Sequence, residues 1–352
     1  MKIYSASEAV WPALLRTYSY LFRPFKWETF LKLATIATLC EGLLVSFKFV
    51  VPNTFPFDFD MAVSKSFLFA PEFLAVTILG AMALLVMAIY AFFLLTQLRF
   101  AFFHSLIHQT RAFRKTAKLY TAESERFFMG SALVWLTFLV FAVLFVVLVI
   151  VAAYTVLNTR TPEGKLDPGH FLFLFFPCLG VFAVLVLAVC AAQVVLNDFI
   201  LPHMAIEGVS FNKAWAEARA RMAANKETFM SFFILRLAMP LVAGVLLALA
   251  AWLTGIVIFS LLGMSTAGFD AMLDGIGGFR AILLSAIHVL FFLLGLAAGW
   301  VVAVTFSGPL CVFMRAYALY FYGGYYKALG NLLEPQVPQA VLAEAKTAPP
   351  AP

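Results

Sequence analysis

MGSALVWLTFLVFAVLFVVLVIVAAYTVL (129–157) runs for twenty-nine residues without one charge. Apolar residues fill it with no alternation that would give a strand one wet face. A strand buried on both sides is about 4–8 residues long, whereas a helix apolar all round for about 20 residues or more has the length of a membrane crossing. Five further stretches read the same way: Phe30–Val51, Phe73–Gln97, Phe171–Leu196, Ser231–Leu262 and Ala281–Phe313. The sequence therefore predicts an all-α, polytopic membrane helix bundle with six transmembrane helices. Several of these stretches exceed 25 residues, so tilt or interfacial ends are expected.

Composition agrees. Hydrophobic residues make up 64% of the 352 and charged residues 12%, against roughly 45–50% and about 25% in soluble domains. A soluble fold of this length buries only about three quarters of its surface, too little to hide so many apolar side chains. The formal charge of +6 is no nucleic-acid signal, because the basic residues collect in particular loops. Seventeen Lys and Arg fall in the N-terminal arm, the loops after the second and fourth spans, and the C-terminal tail. Only Lys65, Arg160, Lys165 and Arg280 fall in the three opposite loops. The positive-inside rule then places both termini in the cytoplasm of a bacterial inner-membrane protein. No cleavable leader is expected, since the first apolar run starts near Phe30 and is too long.

Three regions follow. Residues 1–29 form a cytoplasmic arm with an interfacial helix carrying Trp11, Leu14, Leu15, Tyr18 and Phe22. Residues 30–330 form the membrane domain. Residues 331–352 form a Pro/Ala-rich tail expected to be disordered. The tyrosines of 317–326 suggest an interfacial belt. In the second large cytoplasmic loop, Ser210 is a plausible N-cap of an amphipathic helix with Phe211, Trp215, Ala218 and Met222 on one face. The two large loops also echo each other: Phe100 matches Phe199, His104 matches His203, and Phe128-Met129 matches Phe229-Met230. The six spans thus read as repeated helical hairpins.

RPFKWETFLKLATIA (23–37) and LPHMAIEG…AW (201–215) carry a family resemblance. The first resembles the entry to the first span of uncharacterised bacterial six-span proteins. The second is similar to a loop of proteins related to the membrane domain of glycerophosphoryl diester phosphodiesterases. The resemblance implies a fold and a membrane location. It implies no activity, because no phosphodiesterase domain is attached.

Ionisable groups inside spans are costly and need a reason. Five stand out: Glu41, Lys48, Asp198, Arg236 and His288. Glu41, with His288 or Lys48, either binds a cation, proton or polar substrate group or fixes helix packing. Asp198 and Arg236 reach the same level from adjacent helices, which suggests a structural pair; the sharper reading is an anion or lipid-headgroup site at Arg236. His104 and His108 share a helix face, as do His203 and Glu207 at the matching repeat position. Together they are candidates for a metal site, although HxxxH lacks the usual adjacent Glu. No phosphate-binding loop, GxSxG motif or CxxC pair is present, and no cofactor is implied. Gly295 and Gly299 form a GxxxG expected to pack closely. The expectation is a non-enzymatic accessory or scaffold protein, with membrane lipids and a membrane protein as partners and no nucleic acid. The alternative is a transporter or lipid-handling protein using Glu41 and its polar neighbours.

Overall fold

The computed structural model describes residues 4–41, 71–111, 113–158, 168–240 and 279–334, with positions 242, 244 and 252. Helices make up every regular element among the described residues. In chain order they are α1 (Val10–Phe22), α2 (Trp27–Glu41), α3 (Pro71–His108), α4 (Phe113–Leu119) and α5 (Thr121–Asn158). Then follow α6 (Pro168–Val194), a π-helical turn (Val195–Ile200), α7 (Leu201–Glu207), α8 (Phe211–Ala224), α9 (226–240), α10 (Phe279–Tyr325) and α11 (Lys327–Leu333). Four helical stretches are long and apolar enough to cross a membrane: Thr77–His108, Thr121–Tyr154, Phe176–Glu207 and Leu293–Tyr325. The expected first and fifth spans begin in α2 and α9, and their remainders lie outside the described residues. So does the tail beyond residue 334.

Length explains the architecture. At 1.5 Å per residue, α3 and α5 are each about 57 Å long and α10 about 70 Å, whereas a hydrocarbon core is about 30 Å thick. Each long helix accordingly divides in two. In α3, Ile78–Tyr90 is exposed and apolar, while Thr96 and Arg99–Ile107 are almost wholly buried. In α5 the exposed part is Leu133–Tyr154, and Ser124, Phe127 and Ser131 are buried. In α6 burial sets in at Val194, and in α10 it dominates from Cys311 onward. The molecule has an apolar half whose helix faces stand open and a half packed like the core of a soluble domain.

Local chemistry places the smaller helices in the packed half. Ser5 and Glu8 form a reciprocal capping box: the Glu8 N–H donates to Ser5 Oγ (3.3 Å) and the Ser5 N–H to Glu8 Oε2 (3.0 Å). This starts the turn that leads into α1. Helix α1 buries Ala13, Thr17, Tyr20 and Leu21 and exposes Trp11, Leu14, Leu15 and Tyr18. The last carbonyls of α3, at Leu106 and Ile107, accept from the Arg16 guanidinium, which satisfies groups a helix end otherwise leaves bare. Tyr20 Oη and Ser105 Oγ share a hydrogen bond of 2.7 Å across the same interface.

The most extensive contact joins α2 to α10. It depends on Gly308, where an added Cβ would lie 2.3 Å from the Ala34 Cβ and 2.7 Å from its Cα. At Gly299 of the expected GxxxG, by contrast, a Cβ would meet nothing within 4 Å. The tyrosine run is likewise no interfacial belt. Tyr317, Phe321 and Tyr322 are fully buried. Phe232 stacks on Phe321 with centroids 4.3 Å apart and on Tyr317 at 5.3 Å. The physical reason is that α10 continues past any bilayer-length segment and becomes the central post of the packed half.

Candidate functional site

The described structure gathers its buried charges at the junction of the two halves. Helix α2 delivers Glu41 at its last turn. Asp198 comes from the π turn. Pro202 helps to explain that turn: it lacks the N–H that would bond to Asp198 O, and its ring would crowd that carbonyl in a regular helix. The Leu201 N–H instead reaches Leu196 O, five residues back, and the widened turn rotates Asn197 and Asp198 into the core. Helix α9 supplies Arg236 and α10 supplies Arg315.

These four side chains interlock. Arg236 Nε donates to Asp198 Oδ2 at 3.0 Å, and Arg236 Nη2 to Glu41 Oε2 at 3.1 Å. Arg315 Nη1 donates to Asp198 Oδ1 at 2.9 Å and to Asn197 O at 2.8 Å, and lies 3.5 Å from Glu41 Oε1. Asp198 is fully buried and Arg315 is 1% exposed. Arg99 enters from α3, where it is 7% exposed and its Nε donates to Cys40 O at 3.2 Å. Among the described residues, three guanidiniums thus gather around two carboxylates. Beside them opens a cavity of about 130 Å³ lined by Glu41, Gln193, Asn197, Arg236, Ser307 and Cys311, among others. Asn197 Oδ1 and Arg315 Nε have no hydrogen-bond partner among the described residues.

Of the five intramembrane candidates, the structure brings Glu41, Asp198 and Arg236 together. Lys48 lies outside the described residues, and so does the side chain of His288. Glu41 faces two arginines, Arg236 at 3.1 Å and Arg315 at 3.5 Å. Sequence reasoning missed Arg315 and Arg99, which it counted only as topological charges. The signal was there in CVFMRAYALYF (311–321): an arginine with apolar or aromatic neighbours on both sides.

The metal candidates divide into two places. His104 Nδ1 pairs with Tyr120 Oη at 2.9 Å, and the His104 and His108 rings lie 4.3 Å apart. His203 and Glu207 instead meet Glu217 of α8, and the donor atoms of these three lie within 4.8 Å of one another. His104 and His108 are not members of that group. Glu217 escaped the sequence reading because the buried face of α8 was misplaced. The helix buries Ala214 and Ala218 and leaves Trp215 41% exposed. Small side chains let α8 come close to the bundle, and the larger Trp215 turns outward. Ser210 has the extended backbone of an N-cap but makes no side-chain cap bond. Phe211 packs its ring onto Gly130, where a Cβ would lie 2.3 Å from Phe211 Cγ. All four cysteines are free.

The family comparison adds a lineage without an activity. Residues 4–332 match a family of unknown function, DUF7544, and the chain belongs to that family. No curated protein and no solved structure matches it.

Proposed function

We propose that the chain is a non-enzymatic accessory or scaffold protein of the bacterial inner membrane. In this reading six helices cross the bilayer and both termini are cytoplasmic. The observation that carries the accessory role is the internal satisfaction of the buried charges: Glu41, Asp198, Arg236 and Arg315 grip one another. Such a cluster clasps α2, the π turn, α9 and α10. The open apolar halves of α3, α5 and α6 supply surface for lipid and for a membrane partner. The loop distribution of Lys and Arg supports the orientation.

Repeated hairpins belong to the same proposal. Phe100 and Phe199 are both fully buried, and each sits edge-to-face against a phenylalanine of a later helix, Phe127 of α5 at 5.6 Å and Phe229 of α9 at 5.3 Å. His104 and His203 each bond a tyrosine hydroxyl. These contacts favour pairing Phe127, rather than Phe128, with Phe229.

A photo-crosslinking residue at Leu84 or Val147 tests the scaffold role. One polypeptide, captured at fixed stoichiometry from these positions and not from buried Phe100, is the expected result. Crosslinks to lipid alone would sink it. Reporter fusions at Lys115 and Lys65 test orientation; an extracytoplasmic Lys115 overturns it. The second reading, transport or lipid handling, is favoured by the cavity beside Glu41 and Arg236. Loss of flux or of a stoichiometric co-purified lipid in folded Glu41→Gln protein would select it.

A further inference from the structure

The group at the foot of α6 and α7 is separate from the charge cluster and has different chemistry. His203 is fully buried. Its Nε2 pairs with Tyr322 Oη at 2.7 Å, and its Nδ1 has no hydrogen-bond partner among the described residues. That unpartnered nitrogen is aimed at two carboxylates, Glu217 Oε2 at 3.5 Å and Glu207 Oε1 at 4.0 Å. If Nε2–H donates to the phenol, a bare lone pair on Nδ1 faces two anionic oxygens. Three electron-rich donors then converge.

We propose that His203, Glu207 and Glu217 bind a divalent transition-metal ion of the zinc class. One imidazole and two carboxylates are an accepted donor set for such ions. Bonds of about 2.0–2.1 Å in a tetrahedral site put neighbouring donor atoms about 3.3 Å apart. The Nδ1–Glu217 spacing is nearly there, and the Nδ1–Glu207 spacing closes with a small side-chain rotation. Tyr322 supplies what a ligating histidine needs, a partner on its other nitrogen that selects the tautomer. Tyr326 Oη donates to Glu207 Oε1 at 2.7 Å and steadies that carboxylate. Glu207 and Glu217 side chains are about one third exposed, at 33% and 30%, so the ion has a route in and a fourth position open to water. Arg221 opposes a cation, lying 3.6 Å from Glu217 Oε2. Much of its interaction is directed elsewhere, because Nη1 donates to Tyr325 O at 2.7 Å and the guanidinium lies over the Tyr326 ring. A bound ion would tie amphipathic α8 to α7, with Tyr322 of α10 and Tyr326 at the start of α11 behind it.

The test uses full-length protein in detergent, freed of any histidine tag and stripped with a chelator. Zinc is then titrated by calorimetry, and cobalt absorption reports the coordination. One zinc per chain is expected, with affinity at least tenfold lower in Glu217→Gln and in Glu207→Gln. Glu227→Gln, on α9, should bind as the wild type does. Arg221→Gln should bind more tightly. Circular dichroism of each variant shows that the fold is kept. Absence of stoichiometric zinc, or zinc binding that neither carboxamide variant weakens, overturns the proposal.

Discussion

Replacing Asp198 with asparagine keeps the side-chain volume and removes the carboxylate that two arginines share. Its oxygens lie 3.0 Å from Arg236 Nε and 2.9 Å from Arg315 Nη1, in a fully buried position. Opposite charges about 4 Å apart attract by about 4 kcal/mol at an effective dielectric of ~20. Asp198→Asn loses two such attractions. It recovers part of the loss, because an amide is easier to bury and still accepts one hydrogen bond. Breaking a buried pair from one side costs about 3–5 kcal/mol. The upper part of that range is expected here, because among the described residues Arg236 and Arg315 are then left sharing Glu41. Glu41→Gln should cost less, about 1–3 kcal/mol, since its side chain stays 9% exposed and its Arg315 contact is 3.5 Å. The assay is unfolding in mixed micelles of a mild detergent and increasing dodecyl sulfate, followed by tryptophan fluorescence. Wild type, Asp198→Asn, Arg315→Gln and the double variant form a thermodynamic cycle. Removing both partners leaves less uncompensated charge, so the double variant should be more stable than the sum of singles by about 1–3 kcal/mol. A cost below about 1 kcal/mol for Asp198→Asn, or additivity within about 0.5 kcal/mol, refutes the idea that this cluster clasps the helices.

Gly308→Leu should destabilise by at least about 1–3 kcal/mol through overpacking against Ala34; the same micelle titration reads it, and Ala34→Gly should restore part of the loss in Gly308→Ala. Gly130→Ala should push the Phe211 ring away and loosen α8, seen as faster trypsin cleavage at Lys213 and Arg219 with the rest of the chain intact. Burial pushes the phenol of Tyr20 up, and burial together with Glu207 does the same for Tyr326. An unfolded chain releases these protons near pH 10 while the folded one holds them, so their contribution is whole below about pH 10 and falls as pH rises beyond it; Tyr20→Phe should flatten that decline in alkaline unfolding curves.

The sequence by itself determined the helix class, because an uncharged run such as 129–157 satisfies its backbone in lipid only as a helix. It also marked which residues are too costly to be accidental: Glu41, Asp198 and Arg236 were legible as charges inside apolar runs. Periodicity could not say how much of each long apolar helix is packed against protein, since the buried half of α10 is as apolar and aromatic as a lipid-facing one would be. For that reason the tyrosines of 317–326 read as a belt, and Arg315 as a topological charge. Glu217 stayed hidden for a related reason: which face of α8 is buried depends on the small side chains that let it approach its neighbours. Tertiary structure alone decided these matters. Charge pairing and donor convergence are set by distances of 3–4 Å between helices far apart in the chain, and no local pattern encodes them.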